Sequence, residues 1–187
     1  MNAALDLDLH AALALAIAHE QPADAPAREA LLDAAFGPGR FRKTSEKLRR
    51  GRLPAEGLAF SAWEGGRLAG TVRLWNIRAG DAGEALLLGP LATRPDLQGR
   101  GIGGRLMAYA ISEAARLGHR AILLVGDAPY YARFGFERSH AEGLALPGPV
   151  EAERFLGLEL VAGSLAGASG MLTATGRPAG RSLRKAA

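Results

Sequence analysis

The 187-residue sequence contains no cysteine, which excludes disulfides, thiolate metal sites and a cysteine acyl-enzyme. Histidine is sparse: His10, His19, His119 and His140 are scattered without ligand spacing, so no metal centre is expected. Long hydrophobic runs are lacking as well, and none approaches a membrane span. The run AALALAIA at 11–18 ends in the small-x-small manner of a signal peptide. No Lys or Arg precedes it, however, whereas Asp6 and Asp8 do. We therefore expect a short helix leading into a first strand, and a cytoplasmic protein. Aromatic residues make up 6% of the chain. Within the basic cluster Arg40, Arg42, Lys43, Lys47, Arg49, Arg50 and Arg52, Phe41 is the one aromatic, so single-stranded nucleic acid would find little to stack on.

What is present fits one globular domain over 1–187, with 48% hydrophobic and 22% charged residues. Residues 1–13 read as an N-terminal extension. The net charge of +4 is matched by Arg177, Arg181, Arg184 and Lys185, in a stretch of eleven residues that contains no acid. That stretch, 177–187, is expected to be a flexible basic tail on a near-neutral body. The basic cluster at 40–52, opposed by Glu46, reads first as a solvated helix face beside a cleft, with contact to an acidic substrate or, after that, nucleic acid as the functional readings.

Turn chemistry and hydrophobic period divide the chain. A strand is expected near Leu15 to Glu20, then a helix from Asp24 or Ala25 to Phe36 with Pro26 in its first turn, stopped by Gly37-Pro38-Gly39. Thr44 or Ser45 caps a second helix to about Arg50. Residues 58–64 and 67–78 form a hairpin around Gly65-Gly66, and 84–91 adds a third strand. Leu106, Met107, Ala110, Ile111, Ala114 and Leu117 share one face of a helix that ends near Gly118. Ala121 to Val125 reads as a buried strand, so this unit is strand-helix-strand with parallel pairing. Asp127-Ala-Pro129 begins a short helix. Strands are expected at 135–138 and 154–160, with 141–150 a loop and 170–175 an edge.

The most informative segment is Arg94-Pro-Asp-Leu-Gln-Gly-Arg-Gly-Ile-Gly-Gly-Arg105, a glycine-rich turn between a strand and a helix. Glycines there accept positive φ and let backbone N–H groups approach an anion. The helix start adds free N–H groups and the positive end of its dipole. Arg100 and Arg105 are nearby cations. A Walker A loop is excluded, because Arg105 and Leu106 stand where Lys and Ser/Thr belong. A dinucleotide fingerprint fails at Leu106, which replaces the third glycine.

What remains is Gln-x-x-Gly-x-Gly at Gln98, Gly101 and Gly103, followed one helix and one strand later by Tyr131-Ala-Arg-Phe-Gly-Phe136. Both motifs, in this order, resemble the GNAT superfamily of acyl-CoA-dependent N-acetyltransferases. The run Gly126 to Phe136 is similar to that of the YhbS-like group of predicted bacterial acetyltransferases. The resemblance implies an α/β GNAT fold, in which a mixed sheet flanked by helices splays open at the acyl-CoA site. Leu91, Ala92 and Thr93 would then meet pantetheine, and Gln98, Gly99, Arg100, Gly101, Ile102, Gly103 and Gly104 the pyrophosphate of acetyl-CoA. Gly89-Pro90 suits a bulge at that gap.

The chemistry implied is direct attack of a neutral amine on the thioester, with Tyr131 protonating the departing thiolate. The competing reading of Tyr131 is core packing with Phe134. Many relatives carry a carboxylate on the strand before the glycine turn; here that strand reads Leu86-Leu87-Leu88. The general base is therefore open among Asp127, Glu84, Glu159 and a water chain. The acceptor would be a small-molecule or peptide amine. Bacterial relatives are often dimers, so a homodimer is a possible assembly; nucleic acid and membrane are not expected partners. The rival from another class is a non-catalytic module that binds or senses acyl-CoA.

Overall fold

A computed structural model of the protein describes residues 15–180. The extension at 1–13 and the basic residues Arg181, Arg184 and Lys185 lie outside the described residues. Among the described residues are four α-helices: α1 (Ala25–Phe36), α2 (Glu46–Arg49), α3 (Ile102–Arg116) and α4 (Ala128–Ala132). The strands are β1 (Ala16–His19), β2 (Ala59–Glu64), β3 (Arg67–Ala79), β4 (Glu84–Thr93), β5 (Ala121–Val125), β6 (Gly143–Ala145), β7 (Phe155–Glu159) and β8 (Ser169–Ala174). They form one mixed sheet in the order β1-β2-β3-β4-β5-β7, with β8 joined to β3 and β6. No helix among the described residues is long and apolar enough to cross a membrane.

β1 to β4 run antiparallel, and the β2–β3 hairpin turns on Gly65 and Gly66 at φ 56° and 71°, values that β-carbon sterics disfavour for other residues. α3 then crosses back so that β5 lies parallel to β4. The helix buries Ile102, Leu106, Met107, Ala110 and Ala114. It packs close because Gly70 of β3 has no side chain: a Cβ there would meet Leu106 Cδ1 at 2.8 Å. Ile111 packs partly buried against the same core. Leu117, expected on that face, is 41% exposed. The helix ends at Arg116, and Leu117 as C-cap turns to φ −81°, ψ 3° and leaves the helical stripe.

Four other expectations are corrected. Residues 135–138 form a turn with one antiparallel bridge, Glu137 to Gly157, because a 3-10 turn over Ser139–Ala141 follows at once. The loop expected at 141–150 contains β6, which pairs in parallel with β8. β8 is flanked on both sides, by β3 and β6, and is no edge. Finally, the tail does not begin at Arg177. The Arg177 carbonyl accepts Leu53 N–H at 2.8 Å, Ala179 N–H donates to the Gly51 carbonyl at 2.9 Å, and the Ala179 methyl is buried. Backbone pairing with 51–53 carries the fold to at least residue 179.

The sheet opens where the functional motifs converge. β4 and β5 pair at Leu86–Ile122 and Leu87–Leu123, and β4 then runs on to Thr93 paired with β3 but not with β5. The register against β3 shifts between Val72 and Leu74, so Arg73 faces both Gly89 and Pro90. This is the bulge expected at Gly89-Pro90. Trp75 Nε1 donates to the Gly89 carbonyl at 2.6 Å and holds the bulge from below.

Candidate active site

The gap between β4 and β5 leads into a cavity of about 610 Å³ lined by Leu88, Gly89, Pro90, Leu91 and Thr93 from β4. Val125, Gly126, Asp127, Tyr130, Tyr131 and Arg154 form its other wall, and Arg40, Lys43, Glu46 and Arg49 close one end. A second cavity of about 560 Å³ lies over the glycine turn, lined by Gln98, Gly99, Gly101, Ile102, Gly103, Gly104, Tyr130, Arg133 and Phe134. Thr93, Gln98, Gly103 and Tyr130 border both, so the two form one cleft. Volumes of this size suit a cofactor-sized ligand.

The glycine turn has the backbone of an anion cradle. Gly99 and Gly101 adopt φ 80° and 77°, and Gly101 is the left-handed N-cap of α3. Its first-turn N–H groups therefore point outward without a side-chain cap. Gly103 is required for a different reason. A Cβ there would come within 3.0 Å of the Tyr130 hydroxyl and 3.6 Å of Thr93 Cγ2, narrowing the passage between the two cavities.

Three residues expected beside the ligand fall elsewhere. Arg100 turns away from the turn and makes a two-pronged ion pair with Glu64, at 2.8 and 2.9 Å. Ala92 is buried, its methyl packed with Leu31, Leu32 and Leu68, and it does not line the cavity. Alternation along β4 explains this: Leu91 and Thr93 face the gap while Ala92 faces α1. Arg105 reaches instead toward the Leu15 carbonyl at 3.4 Å. The cation that does border the glycine turn is Arg133, which lies over the Tyr130 and Phe134 rings. It belongs to the Tyr131–Phe136 motif, so its place in the sequence was the available signal.

The two tyrosines separate. Tyr130 borders both cavities with its hydroxyl at the glycine turn, whereas Tyr131 borders the first. Tyr131 packs edge-on against Tyr130 and Phe136, with centroids 4.9 and 6.0 Å apart, rather than against Phe134. Burial pushes the Tyr131 phenol up to about 12, with Tyr130 adding to the shift. Its ring lies directly against the Gly126 backbone.

Of the carboxylates considered from sequence, Asp127 alone lines the cavity. Glu159 accepts Gly163 N–H at 2.7 Å and Leu165 N–H at 2.6 Å, which hold its carboxyl below the usual range and make it a turn-forming group. Glu84 opposes Arg78 at the start of β4, about 13 Å of extended chain before Leu88. Glu46, read from the sequence only as the acid opposing the basic cluster, lines the cavity and pairs with Arg49 at 3.1 Å. The basic cluster is also corrected: Arg40 and Arg49 are partly buried against the cleft, and the exposed Lys43 lines its rim, so this face is not wholly given to solvent. No group of three or more potential metal ligands occurs among the described residues.

The pattern of the acetyltransferase (GNAT) family matches residues 25–136, from the start of α1 to the end of the second motif. The chain belongs to the GNAT family. Among GNAT relatives, it is 27% identical over 154 residues to YhbS of Escherichia coli, an uncharacterised N-acetyltransferase, covering 82% of this chain and 92% of that protein. The structure of the E. coli GNAT protein YhbS, solved in complex with CoA, superposes with a TM-score of 0.73 at 26% identity, covering 87% of this chain and 90% of the other. A GNAT acetyltransferase of Brucella melitensis, solved with acetyl-CoA, gives a TM-score of 0.58 at 27% identity, covering 79% and 88%. A further uncharacterised N-acetyltransferase of E. coli, YjhQ, is 38% identical over 68 residues, and that match takes in 36% of this chain and 38% of the relative.

Proposed function

We propose that this GNAT protein transfers the acetyl group of acetyl-CoA to the amine of an acceptor by direct attack. The observation that carries the reading is the continuous cleft, which runs from the Gly99–Gly104 cradle along the unpaired edge of β4 to Tyr131. Pyrophosphate would take the N–H groups of Gly101 to Gly104 at the start of α3, and pantetheine would lie along Leu91 and Thr93. That one solved relative was obtained with CoA and another with acetyl-CoA supports a coenzyme A ligand in this cleft.

The neutral amine nitrogen attacks the thioester carbonyl, the C–S bond breaks, and sulfur leaves with the electron pair. Tyr131 donates its O–H to that sulfur. A phenol pushed up to about 12 remains protonated throughout the working range, and the exclusion of water that raises it also raises the basicity of the sulfur it faces. The proton on the attacking nitrogen passes to Asp127 directly or through water, because Asp127 is the exposed carboxylate beside Tyr131 in the cavity wall. The test is acetyl-CoA-dependent thiol release with an amine panel, with mass spectrometry of the acetylated product. Hydrolysis alone, or no thiol release although CoA binds, would favour a sensing module.

A further inference from the structure

The end of the cleft remote from the glycine turn carries a concentration of positive charge that an amine donor alone does not require. Arg49 is nine-tenths buried there, with 10% of its side chain exposed, and borders the cavity beside Gly89. Its Nε donates to Glu46 at 3.1 Å, while its terminal nitrogens make no hydrogen bond among the described residues. Those nitrogens stay open to the cavity, since Arg138 Nη1 is the one fully buried side-chain polar atom without a partner among the described residues, and they are free to donate to a ligand there. Lys43 and Arg154 border the same cavity and have no carboxylate partner among the described residues; Lys43 rests on the Phe36 ring at 4.3 Å. Arg154 makes one long contact, 3.5 Å, to the Gly126 carbonyl. Burial first, and then the charges of Arg49 and Arg154, push the Lys43 ammonium down. Arg40, by contrast, is already occupied by Glu29 and Asp33.

We infer that Arg49, Lys43 and Arg154 form an anion subsite, and that the acceptor is an amine bearing its own carboxylate or phosphate. This rests on the acetyltransferase reading above. The phosphates of coenzyme A belong at the other end of the cleft, so the anion held here is the acceptor's. The terminal N–H groups of Arg49 suit two-pronged binding of either oxyanion. Glu46 and Asp127, in the same cavity, are available to the acceptor's ammonium before it loses its proton.

The experiment titrates the CoA-saturated protein with β-alanine, O-phosphoethanolamine and ethanolamine by calorimetry, and measures acetyl transfer to the same three amines. β-Alanine and O-phosphoethanolamine distinguish carboxylate from phosphate. At least one of them should bind at least tenfold more tightly than ethanolamine. Arg49→Gln should bring that preference within about twofold while leaving the Kd for CoA unchanged, and Lys43→Gln, at an exposed position, should give a smaller loss in the same direction. Equal or better binding of ethanolamine, or an Arg49→Gln loss that is the same for all three amines, would overturn the inference. Acetylation of ethanolamine with no binding of either anionic amine would sink the anion subsite and leave the acetyltransferase reading intact. Failure to bind CoA at all would remove both.

Discussion

Gly126→Ala should disable the enzyme through a residue that performs no chemistry. A Cβ at position 126 would stand 2.0 Å from Tyr131 Cε2, 2.7 Å from Cδ2 and 2.9 Å from Cζ. Carbon atoms settle at about 3.5–4.0 Å, so the ring edge must move by about 1.5 Å. Gly126 is not among the glycines at positive φ, so alanine adds no backbone strain of its own. The backbone cannot yield easily either, because Gly126 N–H donates to the Arg154 carbonyl at 2.8 Å. Displacement of a reacting group by about 1 Å costs on the order of 100-fold in rate, or about 2.7 kcal/mol in the barrier. Overpacking should cost about 1–3 kcal/mol in stability, which urea unfolding would measure. In a thiol-release assay, kcat should fall about 100-fold, while the Kd for CoA stays within about threefold because Gly126 does not border the glycine-turn cavity. The double variant Gly126→Ala with Tyr131→Phe should be no slower than Tyr131→Phe alone, since the ring position no longer matters once the hydroxyl is gone. A folded Gly126→Ala protein with kcat within twofold of wild type would refute the assignment of Tyr131 as donor.

Four further substitutions separate roles. Tyr131→Phe should lower kcat by about 100-fold. It should also flatten the alkaline loss of stability: a phenol raised to about 12 in the folded state contributes stability that is intact below about 10 and lost as pH climbs to about 12, worth about 3 kcal/mol. Parallel urea-unfolding profiles for the two proteins over that window would contradict the burial. Asp127→Asn should reduce kcat/KM about tenfold near neutral pH, whereas Glu84→Gln should leave it unchanged; the reverse order in steady-state kinetics would move the base to β4. Glu159→Gln should lower stability by about 1 kcal/mol at neutral pH through its two backbone N–H bonds without affecting kcat. Because the Glu159 carboxyl is depressed, wild type should lose this advantage as pH falls below the usual carboxylate range, and an acid-unfolding comparison checks it.

The parts of the fold that local chemistry dictates were legible in the sequence. The Gly65-Gly66 hairpin, the α3 stripe from Leu106 to Ala114 and the Gly89-Pro90 bulge each follow from conformational preference or period. The glycine turn was legible for the same reason, because positive φ at Gly99 and Gly101 is a local demand. β6 was not, since its three residues become a strand by pairing with Ser169–Met171, far away in the chain. The site divided in the same way. Arg100 looked like a phosphate contact by position, but its partner Glu64 is 36 residues away, on β2. Arg49 and Glu46 entered the site through the packing of a one-turn helix whose sequence resembles an ordinary solvated face.

The central claim, that the Gly99–Gly104 turn holds coenzyme A, is tested most directly by calorimetric titration of the purified protein with acetyl-CoA, CoA, ATP and NAD, repeated on Gly103→Glu. That side chain would put bulk and negative charge where a Cβ alone already comes within 3.0 Å of the Tyr130 hydroxyl. The account predicts saturable binding of the two coenzyme A ligands, little or none of ATP and NAD, and loss of the coenzyme A signal in a folded variant. A folded wild-type protein that binds neither acetyl-CoA nor CoA would reduce the glycine turn to a tight connection between β4 and α3.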